Sequence, residues 1–234
     1  MICSGYRDWA IYQAQQAALL RYGLRQIGDV AVEPITLVQA RDHLRVDVFG
    51  SPPESADDDW IEDFGIPGAR EYCEQYLGRA LAERTMELAT DRFPSYAATT
   101  PPGAAFVLPF GPVQSVTSIT YADADNVDTV MPDTDYEIDP YGDRARLILT
   151  YGASWPTALS RQNSVRVRYV TGYDAPGTSP VAWPIPRMAR SAILLMLGHL
   201  YENREAVTDG TMVELPLGVA ALLDLLPRER LGLA

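Results

Sequence analysis

The sequence predicts an α+β protein, a helical core interrupted by an antiparallel β-region. Three observations carry this reading. Apolar residues recur at spacings of three and four near 36–45, 59–81, 187–206 and 216–226. Between about 83 and 173 the period shifts towards two, punctuated by Gly and Pro. With 47% hydrophobic residues among 234, the chain has enough apolar surface to bury a real core. The pattern divides it into an N-terminal helical extension (1–33), a helical core built from 34–82 and 174–234, and an inserted β-region (83–173).

In the extension, Trp9, Tyr12, Leu19, Leu20, Leu24 and Ile27 make one stripe of a helix over 8–27, broken towards its end by Gly23 and Gly28. Thr36 and Gln39 have the spacing of a capping box, which starts a short helix running to about Arg45. Pro52 and Pro53 exclude helix from the loop that follows, and Asp57 to Asp59 are placed to cap the next helix. That helix carries Ile61, Phe64, Tyr72, Tyr76 and Leu77, with a kink or break expected at Gly65, Pro67 and Gly68.

Candidate strands are Arg84 to Arg92, Ala105 to Leu108, Val116 to Tyr121, Tyr136 to Ile138, Ala145 to Tyr151 and Val165 to Val170. In the last, Val165, Val167 and Tyr169 face one way and Arg166 and Arg168 the other, the mark of a half-buried strand. A proline-rich connector leads to Pro186 at the start of the central helix. From Ala192 to Leu197 every side chain of that helix is apolar, so it should be buried all round, in a bundle or a subunit interface. Its apolar run falls short of the roughly 18 residues a membrane crossing needs. Pro216 opens a last helix whose Val219, Leu222, Leu223 and Leu226 share a face until Pro227 ends it.

The formal charge of −12 and pI near 4.5 argue against sequence-independent clamping onto phosphates. Acidic charge does suit a passage that DNA must slide through. Cys3 and Cys73 lie in no metal-ligand spacing and read as two reduced thiols of a cytoplasmic product. The N-terminus lacks a basic start followed by an apolar stretch, so no signal peptide is expected.

Few residues suggest chemistry. Asp123 to Asp128 resembles the start of a calcium loop, but Val127 and Asp128 fall where an oxygen ligand and a glycine are required, so a hairpin turn is expected. Asp135, Glu137 and Asp139 alternate along a predicted strand, as an acidic solvent face, a lumen-facing patch or a carboxylate site. His43 and His199 lack a nucleophile partner and read as packed helix residues. Ser154 belongs to a turn anchored by Trp155. No phosphate loop, metal set or cofactor motif is present.

Several segments together resemble a known family. GHLYENREAV (198–207) and LPLGVAALL (215–223) are similar to the C-terminal signature of the head-tail connector, or neck adaptor, proteins of long-tailed double-stranded DNA phages and gene transfer agents. ITLVQARDHLRVD, AREYCEQYLGRAL, LPFGPVQSVTSITY, YGASWP and VRVRYVTGY continue the resemblance in the same order, from about Pro34 to Leu226. The resemblance implies assembly rather than enzymatic activity. Such proteins form dodecameric rings beneath the portal, assembled in the host cytoplasm, which extend the DNA channel towards stopper and tail in the virion neck and let DNA pass without specific binding. Two alternatives are another neck or tail part, such as a stopper or fibre-associated module, and a small hydrolase built on Asp135, Glu137 or Asp139.

The resemblance also directs attention to terminal segments as portal contacts. Here the candidates are Leu215, Leu217, Leu222 and Leu225, with Arg228, Arg230, Leu231 and Leu233 as basic and apolar handles. Asp135, Glu137 and Asp139 are the candidates for an acidic channel lining.

Overall fold

The computed structural model describes residues 22–94, 105–141, 144–178, 180–204 and 217–229. Two antiparallel sheets and a group of helices share the chain, as the alternating periods require. Strands β1 (Tyr22–Ile27), β2 (Arg84–Thr90), β4 (Val113–Ala122), β5 (Asp128–Val130) and β8 (Val165–Thr171) form one sheet in the order β1-β2-β8-β4-β5. The smaller sheet has the order β3-β7-β6, from β3 (Phe106–Val107), β6 (Tyr136–Asp139) and β7 (Arg146–Leu149).

β1 corrects the predicted N-terminal helix. Residues 22–27 pair along β2, from Tyr22 opposite Thr90 to Ile27 opposite Thr85, while 8–21 lie outside the described residues. The β-region is therefore not wholly an insertion: it draws its edge strand from the N-terminal extension. Gly23 disfavours helix, and β2 presents unpaired backbone that a strand satisfies. Leu24 lands opposite Leu88, and packs against the β-region core.

The helical part comprises α1 (Leu37–Leu44), α2 (Asp58–Trp60), a π-helical turn (Ile61–Gly65), α3 (Ile66–Leu77), α4 (Arg187–Glu202) and α5 (Leu217–Leu223). α1 begins with the predicted capping box: the Gln39 N–H donates to Thr36 Oγ1 at 3.3 Å and the Thr36 N–H to Gln39 Oε1 at 3.2 Å. Asp57 occupies the N-cap of α2 without a side-chain capping bond, and Asp58, inside the helix, accepts the Ser55 N–H at 2.6 Å. Asp57 instead accepts from the Tyr201 hydroxyl (2.6 Å) and Arg204 (2.8 Å), and Asp58 from Arg41 Nε (2.7 Å). They tie α2 to α4 and α1 through charge-assisted hydrogen bonds with the two arginines.

The expected break at Gly65 to Gly68 is a wider turn instead. The helix passes through Ile61–Gly65 in π geometry, and Pro67 sits at the start of α3, where no intrahelical donor is asked of it. Gly65 lies close against α4: a Cβ there would lie 2.7 Å from Leu197 Cδ1.

Two apolar clusters result. One joins Ile35, Ala40, Ile61, Ala69, Cys73 and Leu77 to Ala192, Ile193, Leu197, Val219 and Leu223. The other lies in the β-region around Leu88, Phe106, Ile119, Leu147, Val167 and Tyr169. β8 follows its predicted alternation, with Val165, Val167 and Tyr169 buried and Arg166 and Arg168 on the opposite face. Trp155, the predicted turn anchor, stacks on Phe93 with ring centres 5.3 Å apart. Burial pushes the Cys73 thiol up to about 12, which leaves it inert.

Within the subunit α4 is not buried all round. Ala189, Ala192, Ile193, Met196 and Leu197 are enclosed, but Met188 and Leu195 are 44% and 42% exposed. An all-apolar run has no sequence-level preference for any face, so its neighbours decide which side stays open.

Candidate assembly surfaces

The acidic trio does not form a single strand face. Asp135 closes a 3-10 turn (Asp133–Asp135), and only Glu137 and Asp139 belong to β6. Asp139 accepts the Tyr141 N–H at 3.1 Å and pairs with Arg146 at 2.5 Å, and these two contacts hold its carboxyl below the usual range. Asp135 accepts from the Thr134 hydroxyl at 3.1 Å, and Glu137 is exposed. The register and the Arg146 pair separate the trio's roles, so β6 offers a mixed surface with Glu137 at its most open point.

The Asp123 loop is the predicted hairpin turn. Asp123 Oδ1 accepts the N–H groups of Asp125 (3.0 Å) and Val127 (2.9 Å), and Asn126 takes the left-handed conformation at φ 61. Among the described residues no group of three or more His, Cys, Asp or Glu is arranged to hold a metal ion. His43 lies where α1 meets α4, its Nε2 3.7 Å from a Cβ built on Gly198. His199 is half-buried, its ring Nδ1 3.3 Å from Asn203 Nδ2. His43 is exposed rather than packed as expected.

Among the C-terminal candidates, Leu222 packs against the helical core beside buried Val219 and Leu223. Leu225, outside that stripe as the spacing predicts, is 66% exposed. Arg228 is held by its own subunit: its guanidinium lies 3.9 Å from the Tyr76 ring centre and pairs with Asp224, which accepts from the Tyr76 hydroxyl at 2.9 Å. Leu217 opens α5, while Leu215, Arg230, Leu231 and Leu233 lie outside the described residues. Exposed Leu225, Leu195, Met188, Phe64 and Val38 leave the helical part with more open apolar side chains than an isolated core requires.

Three buried carboxylates escaped the sequence reading. Glu74 gathers Arg70 and Arg84, Glu87 gathers Arg25 and Arg168 across β1, β2 and β8, and Glu229 seats on the turn before β4. Burial alone would push the Glu87 carboxyl up, but the hydrogen bonds from Arg168 and Arg25 outweigh it and hold it below the usual range. Only the Arg70–Glu74 spacing of four residues left a local signal. Arg204, exposed just beyond α4, lies 4.2 Å from the Tyr201 ring centre and 4.6 Å from that of Trp60, which ties the end of α4 to α2.

No protein-family model and no curated protein matches the chain. Solved structures do. It is similar to a chain in the neck of an empty GTA particle computed with C6 symmetry, at 24% identity and a TM-score of 0.68, covering 91% of this chain and 98% of that one. A chain in the virion of a native gene transfer agent particle is similar at 25% identity and a TM-score of 0.66, over 90% and 98%. A third, in the neck of a native GTA particle computed with C12 symmetry, shares 22% identity at a TM-score of 0.61, over 91% and 98%. Among the described residues no helix is long and apolar enough to cross a membrane. The mixed helical and antiparallel architecture of this chain is thus the fold of the neck components of gene transfer agent particles, over nearly their whole length.

Proposed function

We propose that the chain is a structural virion protein of the neck, one subunit of an adaptor ring that joins the portal to the stopper and tail and continues the DNA channel. The observation that carries this is the match over 98% of chains from GTA necks, two of them computed with C6 and C12 symmetry. Ring assembly also gives the open apolar side chains of α4 and the π-turn a use, because packing on a neighbouring copy would cover them. The helical core and the β-region then divide the work between subunit contacts and channel or stopper contacts. A carboxylate hydrolase draws no support from β6, where Arg146 occupies Asp139 and Asp135 sits on the preceding turn.

The deciding experiment is an image of purified particles carrying a tagged copy of the chain. Density in a ring between head vertex and tail is the expected result. Density at the fibres, or absence from the particle, would replace this reading with another tail component or a non-virion protein.

The acidic character of the ring is part of the proposal, since repulsive charge keeps DNA sliding. Glu137→Lys together with Asp135→Lys, with Asp139 left on Arg146, should preserve folding and slow genome ejection through new phosphate contacts that weaken with salt. Ejection at the normal rate from intact particles would place β6 away from the channel.

A further inference from the structure

Glu229 follows the last helix, yet it is only 6% exposed and touches both halves of the fold. Its N–H donates to Leu77 O at 2.8 Å, at the end of α3. Its carboxylate accepts the N–H groups of Phe110 (2.9 Å) and Gly111 (3.1 Å) in the turn between β3 and β4. That turn is bound in its own right to β8, through the Tyr169 hydroxyl on Pro109 O (2.7 Å) and the Thr171 hydroxyl on Phe110 O (2.5 Å) and Pro112 O (2.8 Å). The Ala80 N–H, just beyond α3, donates to Gly111 O at 3.1 Å. One carboxylate thus closes a junction of helical core, β-region and C-terminal segment.

The seat is shaped for this occupant. Gly78 has φ +66, and a Cβ there would lie 2.0 Å from Glu229 O. A Cβ at Gly111 would lie 2.7 Å from Glu229 Oε1. The electrostatics, in contrast, are incomplete. Arg79 Nε lies 3.6 Å from Glu229 Oε1, too far for a hydrogen bond, and is a buried side-chain donor left without a partner among the described residues. A buried donor without an acceptor costs free energy that the closed contact does not return. The contact is specific in shape and imperfect in energy, the combination a releasable contact needs.

We propose that residues 224–229 form a releasable latch: Glu229 seated on Phe110 and Gly111 holds the β-region against the helical core. Engagement of the C-terminal segment by the portal draws Glu229 out and frees the β-region to re-orient. The portal half rests on the neck reading above; the latch itself belongs to the free subunit.

The test is hydrogen exchange on the full chain. In Glu229→Gln, and separately in Gly78→Ala, peptides covering 108–112 and the Ala80 amide should exchange about 10-fold faster, while peptides covering 189–197 in α4 keep wild-type protection. Equal acceleration in α4 would mean global destabilisation, and unchanged protection at 108–112 would mean that the carboxylate holds nothing; either overturns the latch. The unaltered protein mixed with purified portal rings should show the same local deprotection on binding. Binding with 108–112 still protected overturns release and leaves the neck reading standing. Failure to bind, with the variant pattern intact, overturns the portal half and the neck reading together while the latch of the free subunit stands.

Discussion

Replacing Glu74 by Ala should cost about 3–5 kcal/mol of folding free energy, read as a fall in the urea midpoint. Glu74 is 2% exposed and every direction around its carboxylate is used. Oε2 accepts from Arg70 Nη1 at 2.8 Å, and Oε1 from the Leu81 and Ala82 N–H groups at 2.7 and 3.3 Å and from Arg84. Both arginines are themselves buried, and burial draws the Arg84 guanidinium below its usual range despite Glu74. Without the carboxylate, Arg84 keeps only Gln26 Oε1 (3.2 Å) and Ala82 O (3.3 Å), and Arg70 leans on Glu33 (2.8 Å). Two buried cations would then face only the more exposed acids Glu33 and Glu71, both beside Arg70, and two backbone donors would lose their acceptor. Glu74→Gln should cost less than Ala, because the amide oxygen still receives part of that set. A loss below about 1 kcal/mol for the Ala variant would show that the network is solvated rather than buried.

Leu225→Asp should leave the free subunit folded and remove it from packaged heads. The side chain is 66% exposed, so the urea midpoint should move by no more than about 0.5 kcal/mol in free-energy terms. Burying a leucine at an interface contributes about 1.5–3 kcal/mol, and a ring multiplies that contribution through its linked contacts. The matching control is Leu223→Asp, which puts a charge into the helical core and should unfold the subunit. Deleting the residues after Pro227 is a poor substitute, because it removes Glu229 and Arg228, which bind Leu77, Phe110, Gly111 and Tyr76. Heads that keep the Leu225→Asp protein and accept tails would show that the segment serves internal packing only.

What the sequence determined by itself was local. The capping box at Thr36, the alternation of β8 and the Asp123 turn each depend on residues a few positions apart, so spacing alone specified them. The order of helical and β segments followed from the same short-range periodicities. Tertiary structure decided everything set by distant partners. The stripe around Leu24 and Ile27 suits a helix in isolation, yet residues 22–27 became a strand because β2, some sixty residues away, offered an open edge. The apolar run of α4 carries no mark of which side its neighbours cover, so the exposure of Leu195 emerged only from packing. Glu74 and Glu229 look like ordinary surface acids in a chain of charge −12. Their burial follows from arginines and backbone donors brought together by the fold, because a carboxylate's environment depends on what surrounds it in space.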